Sequence, residues 1–192
     1  GILSFTFDAP DGGRRLYLSQ HRKAPALWNI LTHHGVSVSA VNWWNTWPPE
    51  RIAGVMVSDH FFPGQLSGRE DLFHAEGGSA SHAVSPAAWE ERARRILETA
   101  EPPTTFTNPF LARGALPRWA HLESLSDVFE TDGRVAQLSL AIAQAEAPQV
   151  LLVYFPGIDR VCHSLWIGVD EPERFPPGFR LDPAATGAAR DA

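Results

Sequence analysis

The first clear periodicity in the chain is helical. Within residues 24–34, apolar side chains recur three and four positions apart, at Leu27, Ile30 and Leu31. Gly35 follows at the place where a helix C-cap belongs. The spacing therefore predicts a helix over 24–34.

Three apolar runs predict β-strands. Residues 36–43 alternate apolar and small polar side chains, and residues 51–58 form a second short apolar run. The run QVLLVYF, residues 149–155, does not alternate, which predicts a central strand of a mainly parallel sheet with both faces covered. A helix followed after one glycine by a strand is typical of α/β folds, in which crossover helices join parallel strands.

Two further helices are predicted in the second half of the chain. Over residues 85–100, Ser85 stands at the expected N-cap and Pro86 at the first helical position. One apolar face of this helix comprises Trp89, Ala93, Ile96 and Leu97. A longer helix over residues 124–146 runs through Val128, Val135, Leu138, Ile142 and Ala145. It leads directly into the predicted strand at 149–155.

The remaining segments are irregular. Residues 1–23 contain the turn signal DAPDGG between short strand-like runs and predict either an irregular entry segment or a hairpin. Residues 59–84 are rich in Gly, Ser and His, and a Pro-rich stretch precedes residue 124, so we expect a loop or lid-like insertion over 59–123 that includes one helix. The Pro-, Gly- and Ala-rich tail, residues 171–192, predicts irregular or disordered structure.

Composition excludes several classes of protein. The 192 residues include 44% hydrophobic and 20% charged residues, which is typical of a globular protein. A net charge of -6 does not favour binding to a nucleic-acid backbone. No apolar run is long enough to span a membrane. A single cysteine, Cys162, excludes a disulfide within the chain.

Asp159 and His163 are the candidate metal ligands. They follow the strand at 149–155, and ligands of open α/β sheets bind beyond the carboxyl ends of the strands. On a helix, residues four positions apart lie on the same face, so a carboxylate oxygen and an imidazole nitrogen could bind one zinc ion. Two other interpretations stay open: Asp159 as a helix cap, and His163 as a half-buried histidine packed near Trp166.

Two segments resemble the type I phosphodiesterase and nucleotide pyrophosphatase family of the alkaline phosphatase superfamily. The segment LVYFPGIDRVCHSLW, residues 152–166, resembles the strand of the family that is followed by an Asp, three residues and a His. The segment ALWNILTHHGVSVSAVNWWNTWPPERIAGVMVSD, residues 26–59, resembles a second stretch with a helix, a strand and an aromatic loop. Both occur in the order that the family has.

The resemblance implies a fold and a reaction. The fold is a three-layer α/β/α core like that of alkaline phosphatase, incomplete here, with residues 1–170 as a partial phosphodiesterase domain. The site contains two divalent metal ions, most often zinc, and a Thr or Ser nucleophile that attacks phosphorus. Asp159 and His163 correspond to two ligands of one of these ions. The substrate is a small phosphate ester or a nucleotide.

The other site residues of the family have no counterpart in this chain. The nucleophile and the first metal-binding Asp are expected upstream of residue 26, and an Asp-His pair and a last His downstream of His163. We therefore expect an internal fragment, or a truncated gene product, of a larger enzyme, and we expect it to be inactive in isolation. The compartment stays open, although relatives are often exported to the periplasm or the extracellular space.

Asp59 and His60 form a dipeptide that resembles the Asp-His pair of the family but precedes Asp159 instead of following it. We therefore expect them to have a structural role. The residues of the Trp-rich loop, Trp43, Trp44 and Trp47, are expected to pack or to line a pocket. Two alternatives to the phosphodiesterase stay open: a non-catalytic α/β binding domain, and a sulfatase or phosphoglycerate mutase relative.

Overall fold

The computed structural model describes residues 6–62, 82–99, 122–160 and 162, with backbone alone for 122–128. The chain divides into two compact units. The first comprises Gly1–Ala100 and Arg134–Tyr154, and the second comprises Glu101–Gly133 and Phe155–Ala192. The predicted tail at 171–192 and most of the predicted insertion at 59–123 lie outside the described residues.

The first unit contains a four-stranded mixed sheet that confirms the predicted α/β class. Its strands are β3 (Val38–Val41), β4 (Met56–Val57), β5 (Val84–Ser85) and β6 (Val150–Val153), in the order β5-β4-β3-β6. Strand β3 pairs in parallel with both β4 and β6, and β5 is antiparallel to β4. The three parallel strands therefore end at the same edge of the sheet.

Helices cover both faces of this sheet, as the three-layer prediction requires. The helices are α1 (Leu27–His33), α2 (Ala88–Thr99) and α3 (Leu122–Glu146). On one face, Trp28 of α1 packs with Val38, Ala40 and Met56. On the other face, the core contains residues of the sheet and of the last two helices: Val41, Val55, Val57, Trp89, Ala93, Val135, Leu138 and Ile142.

Helix α1 confirms the predicted element, and Leu31 of the predicted face packs against the core, but the rest of that face is exposed. Leu27 and Ile30 are 54% and 47% exposed, whereas Trp28 is buried. Glu50 contributes to this orientation because its carboxylate accepts the indole N–H of Trp28 at 2.8 Å and also binds Arg22. An indole buries more apolar area than a leucine, so the Trp side of the helix faces the sheet. Gly35 has φ +73°, as its C-cap position predicts.

Helix α2 confirms the predicted apolar face, but the prediction of its N-terminus was wrong. Ser85 is not an N-cap, because it lies in β5 and pairs with Met56 of β4. The helix begins at Ala88, three residues later. The pairing of Ser85 with the sheet replaces the local capping interaction that the SP dipeptide indicated.

Strand β6 lies beside β3 and is half-buried along its whole length. In the described part of the chain it pairs with β3 alone, while β3 is the fully buried strand. Its two faces are nevertheless both covered, since Leu151 and Val153 pack in one core cluster and Val150 and Leu152 in the other. The absence of alternation in its sequence follows from this two-sided packing.

The remaining described elements are short. Strands β1 (Thr6–Asp8) and β2 (Arg14–Leu16) form the predicted hairpin, with Gly12 at φ +82° in its turn. Asp59–Phe61 forms a buried 3-10 turn at the start of the predicted insertion. No helix in the described ranges has the length and apolar character needed to cross a membrane.

Candidate functional site

Asn42 links the carboxyl ends of the three parallel strands. It follows β3 directly, is fully buried and has φ +65°, a conformation that Asn tolerates better than most residues. Its backbone N–H donates to Val57 O at 2.8 Å, and its side-chain Nδ2 donates to Tyr154 O at 3.1 Å. Asn42 therefore fixes the backbone at the edge of the sheet where α/β proteins bind ligands. Its position directly after a strand was the only signal for it in the sequence.

Asp59 holds the Trp-rich loop that follows β3. Its side chain is 3% exposed, and its two oxygens accept the backbone N–H groups of Asn45 at 3.0 Å and Thr46 at 3.3 Å. The Thr46 hydroxyl lies 3.2 Å from Asp59 Oδ1 and 2.5 Å from Trp43 O, and accepts the Asp59 backbone N–H at 3.2 Å. Thr46 is fully buried, so it is a structural residue of this loop.

Burial shifts the pKa values of Asp59 and His60 in opposite directions. It raises the pKa of Asp59 to about 6, against the lowering effect of the N–H donors of Asn45 and Thr46. It lowers the pKa of His60 to about 4. The His60 ring stacks on Trp47 with 4.8 Å between centroids. Burial disfavours whichever form carries the charge, so both side chains tend towards neutrality.

The other two tryptophans of the loop form an aromatic surface with Tyr154. The rings of Trp43 and Trp44 lie 6.3 and 6.1 Å from the Tyr154 ring, and Trp43 also contacts Trp28 at 6.2 Å. Trp43 is 36% exposed. Large rings in edge and tilted contact form a rigid wall at the carboxyl end of β3 and β6.

Asp159 lies in the first turn of the helix that begins at residue 157, within the second unit. The first backbone hydrogen bond of this helix runs from Arg160 N to Pro156 O at 3.0 Å, so Pro156 is the N-cap residue and Asp159 the third helical residue. An acid at this position often reaches back to the N-cap N–H, but Pro156 has none. Asp159 is exposed.

The described residues therefore include one of the two predicted metal ligands. Asp159 lies in a helical turn, as its spacing from His163 required, and His163 lies outside the described residues. Among the described residues, no group of three or more His, Cys, Asp or Glu side chains could hold a metal ion. Asp59 and His60 are buried in the first unit, in contact with the Trp-rich loop.

A second acid contacts the start of the helix that carries Asp159. Oδ1 of Asp132, on α3, accepts the Gly157 N–H at 3.2 Å. Burial raises the pKa of Asp132, and the hydrogen bond from Gly157 opposes that shift. The sequence contained no signal for this contact, because the two residues are 25 positions apart.

The comparisons with known proteins identify one family. The model of the family described as type I phosphodiesterase / nucleotide pyrophosphatase matches residues 1–185. Searches of curated proteins and of solved structures found no significant match. The family match spans nearly the whole chain and includes both segments that resemble the family. The chain therefore belongs to the type I phosphodiesterase / nucleotide pyrophosphatase family, whose members are phosphoric ester hydrolases.

Proposed function

We propose that this chain is part of a metal-dependent phosphodiesterase or nucleotide pyrophosphatase, and that Asp159 and His163 bind one of two zinc ions in its active site. The observation that carries the proposal is the position of Asp159. In a chain of this family, it stands exposed in the first turn of a helix entered four residues after a parallel strand ends. That is where an α/β sheet presents ligands to a substrate.

The donor atoms suit zinc. Zinc in catalytic sites accepts carboxylate oxygens and imidazole nitrogens together. The spacing from Asp159 to His163 corresponds to about one helical turn. When bound, divalent ions at such a site would stabilise the negative charge on the phosphoryl oxygens.

The buried residues of the first unit order the carboxyl edge of its own sheet. Asp59 fixes the conformation of the Trp-rich loop, because its carboxylate accepts hydrogen bonds from two backbone N–H groups and contacts the Thr46 hydroxyl. Asn42 joins the end of β3 to the end of β6. These contacts fix the backbone at the carboxyl edge of the sheet, the edge at which α/β sheets bind ligands. The nucleophile, a Thr or Ser in the family, is expected outside this chain.

The assignment is tested by the zinc content of the complete gene product and of its Asp159→Ala and His163→Ala variants. Each variant should lose bound zinc and hydrolysis of a nitrophenyl phosphodiester together, because a site that lacks one ligand binds the metal more weakly. Asp8→Ala and His82→Ala are matched controls, since both residues are exposed, Asp8 on strand β1 and His82 in a turn before β5. Unchanged zinc in both ligand variants would contradict the proposal.

The same preparation distinguishes the candidate functions. A protein that cleaves the diester faster than the corresponding monoester is a phosphodiesterase. A folded complete protein that neither binds zinc nor hydrolyses either ester would instead be a non-catalytic binding domain. The substrate preference is to be read from kcat/KM for the two esters.

A further inference from the structure

Asp132 contacts the helix of Asp159 at its first residue. Its Oδ1 atom accepts the Gly157 N–H at 3.2 Å, and Asp159 follows Gly157 by two positions. Asp132 and the residues from Phe155 onwards belong to the same compact unit. The carboxylate thus binds the backbone of the turn that presents Asp159.

This contact replaces a local helix cap. The first N–H groups of a helix have no acceptor within the helix, and a Ser, Thr, Asn or Asp at the N-cap usually supplies one. Pro156 occupies the N-cap here and has no polar side chain. Asp132 supplies the acceptor from another element, and its negative charge is also favourable at the positive end of the helix dipole.

Gly157 is the residue that permits this approach. A Cβ atom at position 157 would collide with Oδ2 of Asp132 and lie 3.0 Å from its Cγ. Any larger residue would therefore displace the carboxylate from the Gly157 N–H. Asp132 is half-buried and Gly157 is buried, so the hydrogen bond is partly shielded from water.

We propose that Asp132 is a positioning residue for Asp159. By holding the N–H of Gly157, its carboxylate fixes the first turn of the helix, and with it the direction in which Asp159 presents its own carboxylate to a divalent ion. The metal then binds a ligand that is already oriented, instead of one that must be ordered on binding. This inference rests on the proposed function, because it concerns a ligand of that site.

The experiment measures the zinc affinity of the complete protein by competition with a chromophoric chelator. Asp132→Ala and Gly157→Ala should each bind zinc about tenfold more weakly than the parent, the loss typical when a group that orients a metal ligand is removed. Asp132→Asn retains an oxygen acceptor and should stay within about threefold of the parent. Glu130→Ala, which removes an exposed acid from the same helix, is the matched control and should bind as the parent does.

A double variant tests whether the two residues act as a pair. Asp132→Ala with Gly157→Ala should bind zinc about as weakly as either single variant, because both break the same contact. Parent-like zinc affinity in Asp132→Ala and Gly157→Ala, with weak binding in Asp159→Ala, would overturn this inference alone. Parent-like zinc affinity in Asp159→Ala would instead overturn the proposed function. Equal losses in Asp132→Asn and Asp132→Ala would also overturn the inference, since the amide oxygen can still accept the Gly157 N–H.

Discussion

Asp59 and His60 are neighbours whose buried side chains respond to pH in opposite ways. Burial raises the pKa of Asp59 from 3.8 to about 6, so the folded protein keeps a proton that the unfolded chain releases. The stability that this proton contributes is fully present below pH 3.8 and is lost as the pH rises to about 6. Burial lowers the pKa of His60 from 6.5 to about 4, so its contribution is present above pH 6.5 and is lost as the pH falls to about 4.

We therefore predict that substitutions at Asp59 and His60 change the slope of stability against pH in opposite directions. A shift of about two pKa units is worth on the order of 3 kcal/mol. As the pH rises from about 4 to 6, the stability lost at Asp59 is therefore largely offset in the parent by the stability gained at His60. Asp59→Asn should make the free energy of unfolding rise more steeply from about pH 4 to 6, because the contribution of His60 remains. His60→Gln should make it fall over the same window.

Urea unfolding of the two variants and the parent at several pH values measures these slopes. The slope is the readout, because Asp59→Asn also places an amide beside backbone N–H donors and lowers stability at every pH. Parallel curves for all three proteins would contradict the assignment. Asp8→Asn, at an exposed position of strand β1, is the control for an Asp-to-Asn substitution outside this buried pair.

Helix α3 shows at the level of an element which part of the hydrophobic pattern becomes core. Val135, Leu138 and Ile142 have no solvent exposure and pack against β6 and α2. Leu140, two positions from Leu138, is 63% exposed. The helical period therefore distinguished the buried face from the exposed face correctly for these four residues. It did not do so at Ala145, which was predicted on the apolar face and is exposed.

Leu138 and Leu140 provide a matched pair for a stability measurement. Leu138→Ala should lower the free energy of unfolding by about 2–5 kcal/mol, because it removes apolar contacts and leaves a cavity. Leu140→Ala should change it by less than about 0.5 kcal/mol. Thermal or urea unfolding of both variants checks this. Similar losses in the two variants would mean that α3 does not pack through the Leu138 face.

Elements were easier to predict than their ends and their buried faces. The described helices and strands other than β5 occur in the predicted order, because their apolar patterns are local. Strand β5 (Val84–Ser85) falls where a loop and a helix N-cap were predicted. The N-terminus of α2 was misplaced because Ser85 pairs with Met56 across the sheet. The buried face of α1 was misplaced at Leu27 and Ile30, because Trp28 faces the core and donates to Glu50, 22 positions away. In both cases a contact between distant segments outweighed a local signal.

For the whole molecule, the proposed zinc site predicts a stability that depends on the metal. A metal that binds only the folded protein stabilises it by mass action, by about 2.7 kcal/mol at 100 times its Kd. The melting temperature of the complete protein should therefore rise with zinc and fall with a chelator. In Asp159→Ala this response should be much smaller, because one ligand is lost.

Differential scanning calorimetry with and without zinc measures this response without reference to activity. Asp8→Ala, which removes an exposed acid of the β1–β2 hairpin, is the control and should respond as the parent does. The same metal response in Asp159→Ala and in the parent would show that zinc binds elsewhere. The experiment therefore tests the position of the metal as well as its presence.

Some of the residues discussed above could be selected from local sequence signals, whereas others are recognised only by contacts with distant residues. Asp159 and His163 could be selected from the sequence because both signals are local: a strand end and a four-residue spacing. The contacts of Asn42 and Asp132 could not be selected, since each is a hydrogen bond to a backbone atom far along the chain. The place of the Asp59-His60 dipeptide before Asp159 suggested a structural role, but the contact of Asp59 with the Trp-rich loop appears only in the folded chain.

The sequence by itself determined the α/β class, the order of the elements, the family resemblance and the candidate ligand pair. Hydrophobic periods and short motifs carry that information within a few residues. The tertiary structure alone decided which side of α1 is buried, that Asp59 binds Asn45 14 positions away, and that Asp132 binds Gly157 25 positions away. Such contacts depend on how the chain returns on itself, and a hydrogen bond between distant residues leaves no pattern in the local sequence.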